Sequence, residues 1–289
     1  MTDHQAGRRT PGTPRRPGAL PTAILLIGAF YSLIPVAWIV VAATKTNAQL
    51  FSTFTFQPGS GLLDNLGDLF AYGDGQFSRW ALNSLYYAGV GSLLCTLVST
   101  AAGFAFAKYR FRGRAPLFYL ILAGVLLPGM TLAIPQYIIM SEIGMVGTYW
   151  SVLLPGLISP FGIYLARVYA EASVPDATIE SARIDGASEF RIFTSIGLPM
   201  MLPGMVTIFM LQFVGNWNNF LLPFIMLSDE DKYPVNLGLY TLLSKGSGEP
   251  ALYGIAIVGT AVSVIPLILL LLFLQRFWRL DLISGGLKG

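Results

Sequence analysis

The chain has 289 residues, of which 54% are hydrophobic and only 11% charged, and its mean hydropathy is +0.63. So little polar surface cannot solvate a water-soluble globule, which leaves a bilayer as the solvent. The net charge of +3 arises from 18 Lys and Arg against 15 Asp and Glu, without the aromatic-laced basic patch that binds DNA or RNA, so nucleic acid is excluded as a partner.

Residues 1–19, rich in Arg, Pro and Gly, read as a disordered tail. The apolar run after it extends for some two dozen residues, too long for a cleaved signal peptide, and so reads as an uncleaved first span. A hydrocarbon core about 30 Å thick needs roughly 20 apolar residues per helix. Six uncharged runs meet this length or approach it, at about 20–43, 81–107, 115–139, 149–166, 204–227 and 252–275. Residues 20–289 therefore read as one all-α membrane domain with six transmembrane helices. The small residues Ser99 to Gly103 in the second run predict a close helix approach. Cys95, alone in that run, is a small apolar filler.

Basic residues crowd one side of these runs: Arg8, Arg9, Arg15 and Arg16 before the first, Lys108 to Arg114 after the second, Arg167, Arg183 and Arg191 between the fourth and fifth, and Arg276, Arg279 and Lys288 at the end. Only Lys45, Arg79, Lys232 and Lys245 fall opposite. The positive-inside rule then puts both termini of a multi-pass membrane protein in the cytoplasm, with outer loops at 44–80 and 228–251.

The polar stretch 171–203 interrupts this apolar pattern on the cytoplasmic side. Ser173 and Asp176 have capping-box spacing with Pro175 in the first turn, which predicts a short helix through Ala177 to Ile184. Gly186 supplies the flexible position after it, and Ser188 caps a second short helix stopped by Gly197 and Pro199. Two short helices meeting at a glycine make a rigid knob. Glu180, Arg183 and Asp185 offer charge for register with a docked partner.

The residues Glu180-Ser181-Ala182, Gly186 and Ile196-Gly197-Leu198-Pro199 resemble the EAA loop of ABC-importer permeases, with Ser181 where the pattern has Ala. The Gly215-Asn216-Trp217-Asn218-Asn219-Phe220 run and the closing residues 275–289 look like the MalG-type permeases of carbohydrate importers, and the likeness covers nearly the whole chain after the tail. This resemblance implies the type I importer permease (MetI-like) fold, with the loop as a coupling helix in a groove of a cytoplasmic ATPase. Glu180, Ser181, Ala182, Asp185 and Gly186 would form that contact. It implies as partners a second homologous permease in a heterodimer, two ATPase subunits and an extracytoplasmic solute-binding protein that delivers a sugar. No cofactor is expected in this chain; ATP and Mg belong to the ATPase.

Independent features agree. No Gly-Lys pair occurs, so the phosphate loop of an ATPase is missing. The six runs carry no ionisable residue of the kind a proton-coupled carrier uses. The only histidine, His4, lies in the tail, and paired acids occur only in loops, which disfavours an enzyme. An importer of a non-sugar solute, or an ion-coupled carrier using neutral oxygen ligands, stays as the alternative.

Within the fifth run, Gln212, Asn216 and Asn219 are spaced to share one helical face, and Trp217 lies about 20 Å along from Gly204, too deep for an interfacial belt. Amides for hydroxyls and an indole for a sugar ring make these four a candidate substrate pathway, with Gln136 a weaker one. Helix-to-helix hydrogen bonding is the competing role for the amides. Asn218 projects away from Asn216 and is set apart.

Overall fold

The computed structural model describes residues 19–246, 248–249 and 251–285. The tail expected to be disordered, up to residue 18, and the closing Gly286 to Gly289 lie outside them.

The described residues are helical and contain no strand. In chain order the helices are α1 (Ala19–Ala43), α2 (Asn47–Ser52), α3 (Leu62–Ala71), α4 (Gln76–Lys108), α5 (Arg114–Gly124), α6 (Gly129–Glu142), α7 (Tyr149–Leu153), α8 (Pro160–Ser173), α9 (Asp176–Ile184), α10 (Glu189–Ile192), α11 (Leu198–Trp217), α12 (Leu221–Met226), α13 (Val235–Lys245) and α14 (Ala251–Gly285). Four are long and apolar enough to cross a membrane: α1, α4, the continuous rod from Glu189 to Trp217, and Ala251–Gln275 of α14. Two bent pairs, α5 with α6 and α7 with α8, would raise the number to six if each pair crosses as one span.

α4 is the central post, packed along both α8 and α11. Small residues permit this. A Cβ on Gly103 would stand 2.4 Å from the Ala166 Cβ and 2.6 Å from the Arg167 amide nitrogen, so the backbones of α4 and α8 meet there. Such contact is how membrane helices associate where lipid tails remove the hydrophobic drive. By contrast α1 leans mainly on α14 and leaves much of its apolar surface bare, with Leu25, Phe30 and Tyr31 all over 70% exposed.

Three expectations need correction. The outer segments 44–80 and 228–251 are helical caps. Buried Lys45 donates to the Phe54 and Thr55 carbonyls at 2.7 and 3.3 Å, and Asn83 of α4 donates to those of Asp231 and Tyr233 at 2.7 and 3.0 Å. Ser173 forms no capping box: it ends α8, because extended Val174 and Pro175 break the chain there, and α9 starts without a side-chain cap. Gly197 and Pro199 do not stop α10. The helix widens into a single π turn over Phe193–Gly197 and continues as α11, with Pro199 just past that irregular turn. Gly197 serves packing instead, since a Cβ there would lie 2.8 Å from the Phe104 ring.

Candidate functional site

Two regions combine polarity with broken helices, one midway along the uncharged runs and one at the polar stretch 171–203.

At the first of these, three breaks converge. The third uncharged run bends by 104° between α5 and α6, the fourth by 43° between α7 and α8, and the fifth breaks at 218–220 between α11 and α12. Each has a local cause. Pro128 precedes α6 in extended backbone, Ser159 accepts the Gly162 N–H at 3.0 Å ahead of Pro160, and Asn218 turns its amide back onto the Val214 carbonyl at 2.8 Å. The freed Trp217 carbonyl accepts from Asn236 of α13 at 3.0 Å. Non-helical backbone within a membrane is tolerated where protein satisfies it or where it lines a cavity. Here it does both: Ala133 and Gln136 of α6, Pro155, Gly156, Asn218 and Asn219 line one groove.

The structure divides the amide stripe. The Gln212 amide donates to Ser159 Oγ at 2.8 Å and that of Asn216 to Ser92 Oγ at 3.0 Å, so these two join α11 to its neighbours. Asn219 and Gln136 make no side-chain hydrogen bond among the described residues, are half-buried, and both open into the groove. Asn219 also meets Asn216, Tyr87 and Gly156 around a smaller adjoining cavity. Trp217 departs from the pathway expectation: 2% exposed, it stacks on Phe213 at 5.8 Å in the core with Trp80, Val235 and Leu239. One residue along a helix turns the side chain about 100°, which carries the indole away from the face of Asn216. Asn218, set apart on helical projection, lies in the groove because the helix has already ended there.

The second region is the 171–203 hairpin. Gly186 takes the left-handed conformation, φ 78°, and Ser188 Oγ accepts the Arg191 N–H at 3.3 Å, as expected. Ile179 and Ile192 are buried with Phe104, Ala170, Val174 and Met201, and Ala182 is partly buried against them, so the hairpin is part of the transmembrane core. Two ion pairs fix it. Lys108 Nζ lies 2.8 Å from Asp176 Oδ1 and ties α9 to the end of α4; Arg183 holds both carboxylate oxygens of Glu189, at 2.7 and 3.1 Å, across the turn. The Lys108 hydrogen bond and charge hold the Asp176 carboxyl below its usual range, and Arg183 does the same to Glu189.

Glu180, Ser181, Asp185 and Gly186 are exposed. Beside them stand Ile184 at 87% and Phe190 at 78% exposure, two large apolar side chains on a charged knob. Ile184 was absent from the sequence-based contact set, although its departure from the Ile179–Ala182 face was readable from helical spacing.

Residues 99–279 match the family model described as the binding-protein-dependent transport system inner membrane component. The chain belongs to this family. It is similar to the arabinooligosaccharides transport system permease protein AraQ of Halalkalibacterium halodurans, with 32% identity over 95% of this chain and 99% of the relative. It is similar too to the lactose transport system permease protein LacG of Rhizobium radiobacter, with 33% identity over 91% and 93%. Its fold matches that of a chain in a bacterial ABC transporter that imports the acidic polysaccharide alginate, with a TM-score of 0.78 over 92% and 99% of the two chains at 22% identity. The MetI-like permease architecture is thereby established, in a multi-pass membrane component of a binding-protein-dependent transport system.

Proposed function

We propose that this chain is one of two permease subunits of an ATP-driven importer for a sugar or oligosaccharide. Substrate arrives from an extracytoplasmic binding protein seated on the outer caps and passes along the groove at the three helix breaks. Gln136 and Asn219 are the groove's unengaged amides, suited to hydroxyl groups because each offers two donors and an acceptor. The sugar assignment draws on the names of the two relatives. Gln212 and Asn216 act as helix-to-helix bonds behind the groove.

The observation that carries the reading is the pairing of that groove with a knob built into the same helical core. Both termini and the knob face the cytoplasm, where the basic residues concentrate. There Glu180, Ser181, Ala182, Asp185 and Gly186, with Ile184 and Phe190, seat in one of two ATPase subunits. ATP and Mg act on those subunits, and this chain holds no cofactor. Since Ile192 and Phe104 pack together, displacement of the knob moves α4 and α11 with it.

Uptake by proteoliposomes holding the permease pair tests the proposal. Sugar accumulation should require the ATPase subunit, ATP and the binding protein, and should persist with a proton uncoupler while ATP is maintained. Accumulation without the ATPase subunit, or its abolition by the uncoupler at constant ATP, would falsify it.

A further inference from the structure

A cleft of about 530 Å³ lies where α5 and α8 meet the turn before α5, lined by Phe111, Gly113, Arg114, Phe118, Tyr119 and Arg167. Its two arginines sit at matched levels: Arg114 directly precedes the uncharged run 115–139 and Arg167 directly follows the run 149–166. Both are at the boundary between hydrocarbon and water on the basic side of the protein.

Each guanidinium is held before any ligand arrives. That of Arg167 stands 4.1 Å over the Phe118 ring while its Nε donates to Glu171 Oε1 at 2.9 Å. Arg114 donates to the Tyr109 and Ala107 carbonyls, both at 3.4 Å, which are long bonds that leave donor capacity. The 11-residue α5 begins on the same cleft, where the Arg114 N–H is taken by the Phe111 carbonyl at 3.3 Å and Pro116 has none, so that of the N–H groups ahead of Leu117 only that of Ala115 is open. The positive end of the helix dipole adds to the arginines. Directly along α5 from the cleft, Tyr119 and Leu120 are 68% and 70% exposed, an apolar face descending from the cations into the bilayer.

We propose that this cleft binds the headgroup phosphate of an anionic phospholipid of the phosphatidylglycerol type, with one acyl chain lying along the exposed face of α5. Paired arginines alone would take a free phosphate; the adjoining apolar strip selects a lipid. The site requires only that the chain spans the membrane. Its placement in the inner leaflet rests on the proposed orientation.

Native mass spectrometry of the full-length chain in detergent, with phosphatidylglycerol and phosphatidylcholine in competition, tests this without any transport readout. The wild type should retain phosphatidylglycerol about tenfold over phosphatidylcholine, and the R114Q/R167Q variant should lose most of that preference. R112Q, outside the cleft lining, should keep it, and R114K/R167K should recover part of it by preserving charge. Equal retention of the two lipids by the wild type overturns the proposal whether or not any variant folds. So does displacement of phosphatidylglycerol by millimolar inorganic phosphate, which would make the cleft a simple anion site.

Discussion

At the scale of single residues, hydrogen bonding separates side chains that spacing alone had grouped. Gln212, Asn216 and Asn219 have the spacing of one helical face, yet two of them are spent on serines of neighbouring helices and the third lies past the helix end. Their replacement by Leu should therefore have different consequences. Asn219→Leu or Gln136→Leu removes an amide facing the groove and strands no partner, so the range of sugars transported should shift at unchanged membrane abundance. Asn216→Leu or Gln212→Leu breaks an interhelical bond worth about 0.6 kcal/mol, which should lower thermal stability slightly and leave the sugar profile intact. Competition uptake with a sugar panel, beside a melting curve in detergent, reads both. An unchanged profile in the Asn219 and Gln136 variants would return those amides to a packing role.

At the scale of elements, two glycines carry different physical roles. Gly103 is a matter of space: Gly103→Val would thrust a branched side chain into the Ala166 and Arg167 backbone and separate α4 from α8, at a cost of about 3 kcal/mol, so insertion or folding should fail. Gly186 is a matter of conformation. Nothing lies within 4 Å of its missing Cβ, but its φ of 78° is one that a β-branched residue resists. Gly186→Val should thus leave the spans intact and distort only the knob. Together with Glu180→Lys and Phe190→Ala, it should give a protein that inserts normally yet recovers less ATPase subunit on affinity purification. Full recovery with all three would remove the knob from the interface.

The same elements show what a sequence can and cannot disclose. The six runs are legible because bilayer thickness fixes their length and forbids charge within them. The turn at Gly186 and the cap at Ser188 are legible because their chemistry is local. The break at 218–220 was half-written, since consecutive asparagines favour a helix end, but its stability depends on Asn236 reaching the Trp217 carbonyl from α13. The bends after Gly124 and before Pro160 were hidden because membrane helices often absorb proline without breaking. Trp217 was misplaced for a related reason. Its neighbours in the core, such as Trp80 and Leu239, fall in the segments 44–80 and 228–251, which by hydropathy alone are outer loops.

At the scale of the whole molecule, the ion pairs around the knob set how transport should respond to acidity. Lys108 is 5% exposed in its side chain and anchors Asp176, while Arg183 and Glu189 close the hairpin, so movement of the knob passes to α4 as one piece. The Arg183–Glu189 pair is exposed and adds little stability, and the role of both pairs is to fix geometry. Both carboxyls are held below the usual range by their cations. A group whose pKa is depressed in the folded state contributes above its unfolded value, and the contribution fades only as the pH falls through the depressed one. Neither carboxyl changes protonation near neutrality, and the six uncharged runs hold no Asp, Glu, Lys, Arg or His to add a step. ATP-driven uptake at fixed ATPase occupancy should therefore vary by less than about twofold between about pH 6 and pH 8. A carrier that moves a proton with each sugar would instead slow steeply as external pH rises. A steep, reversible decline over that window, at constant ATP hydrolysis by the partner subunit, would mean that a proton takes part in the transport step itself.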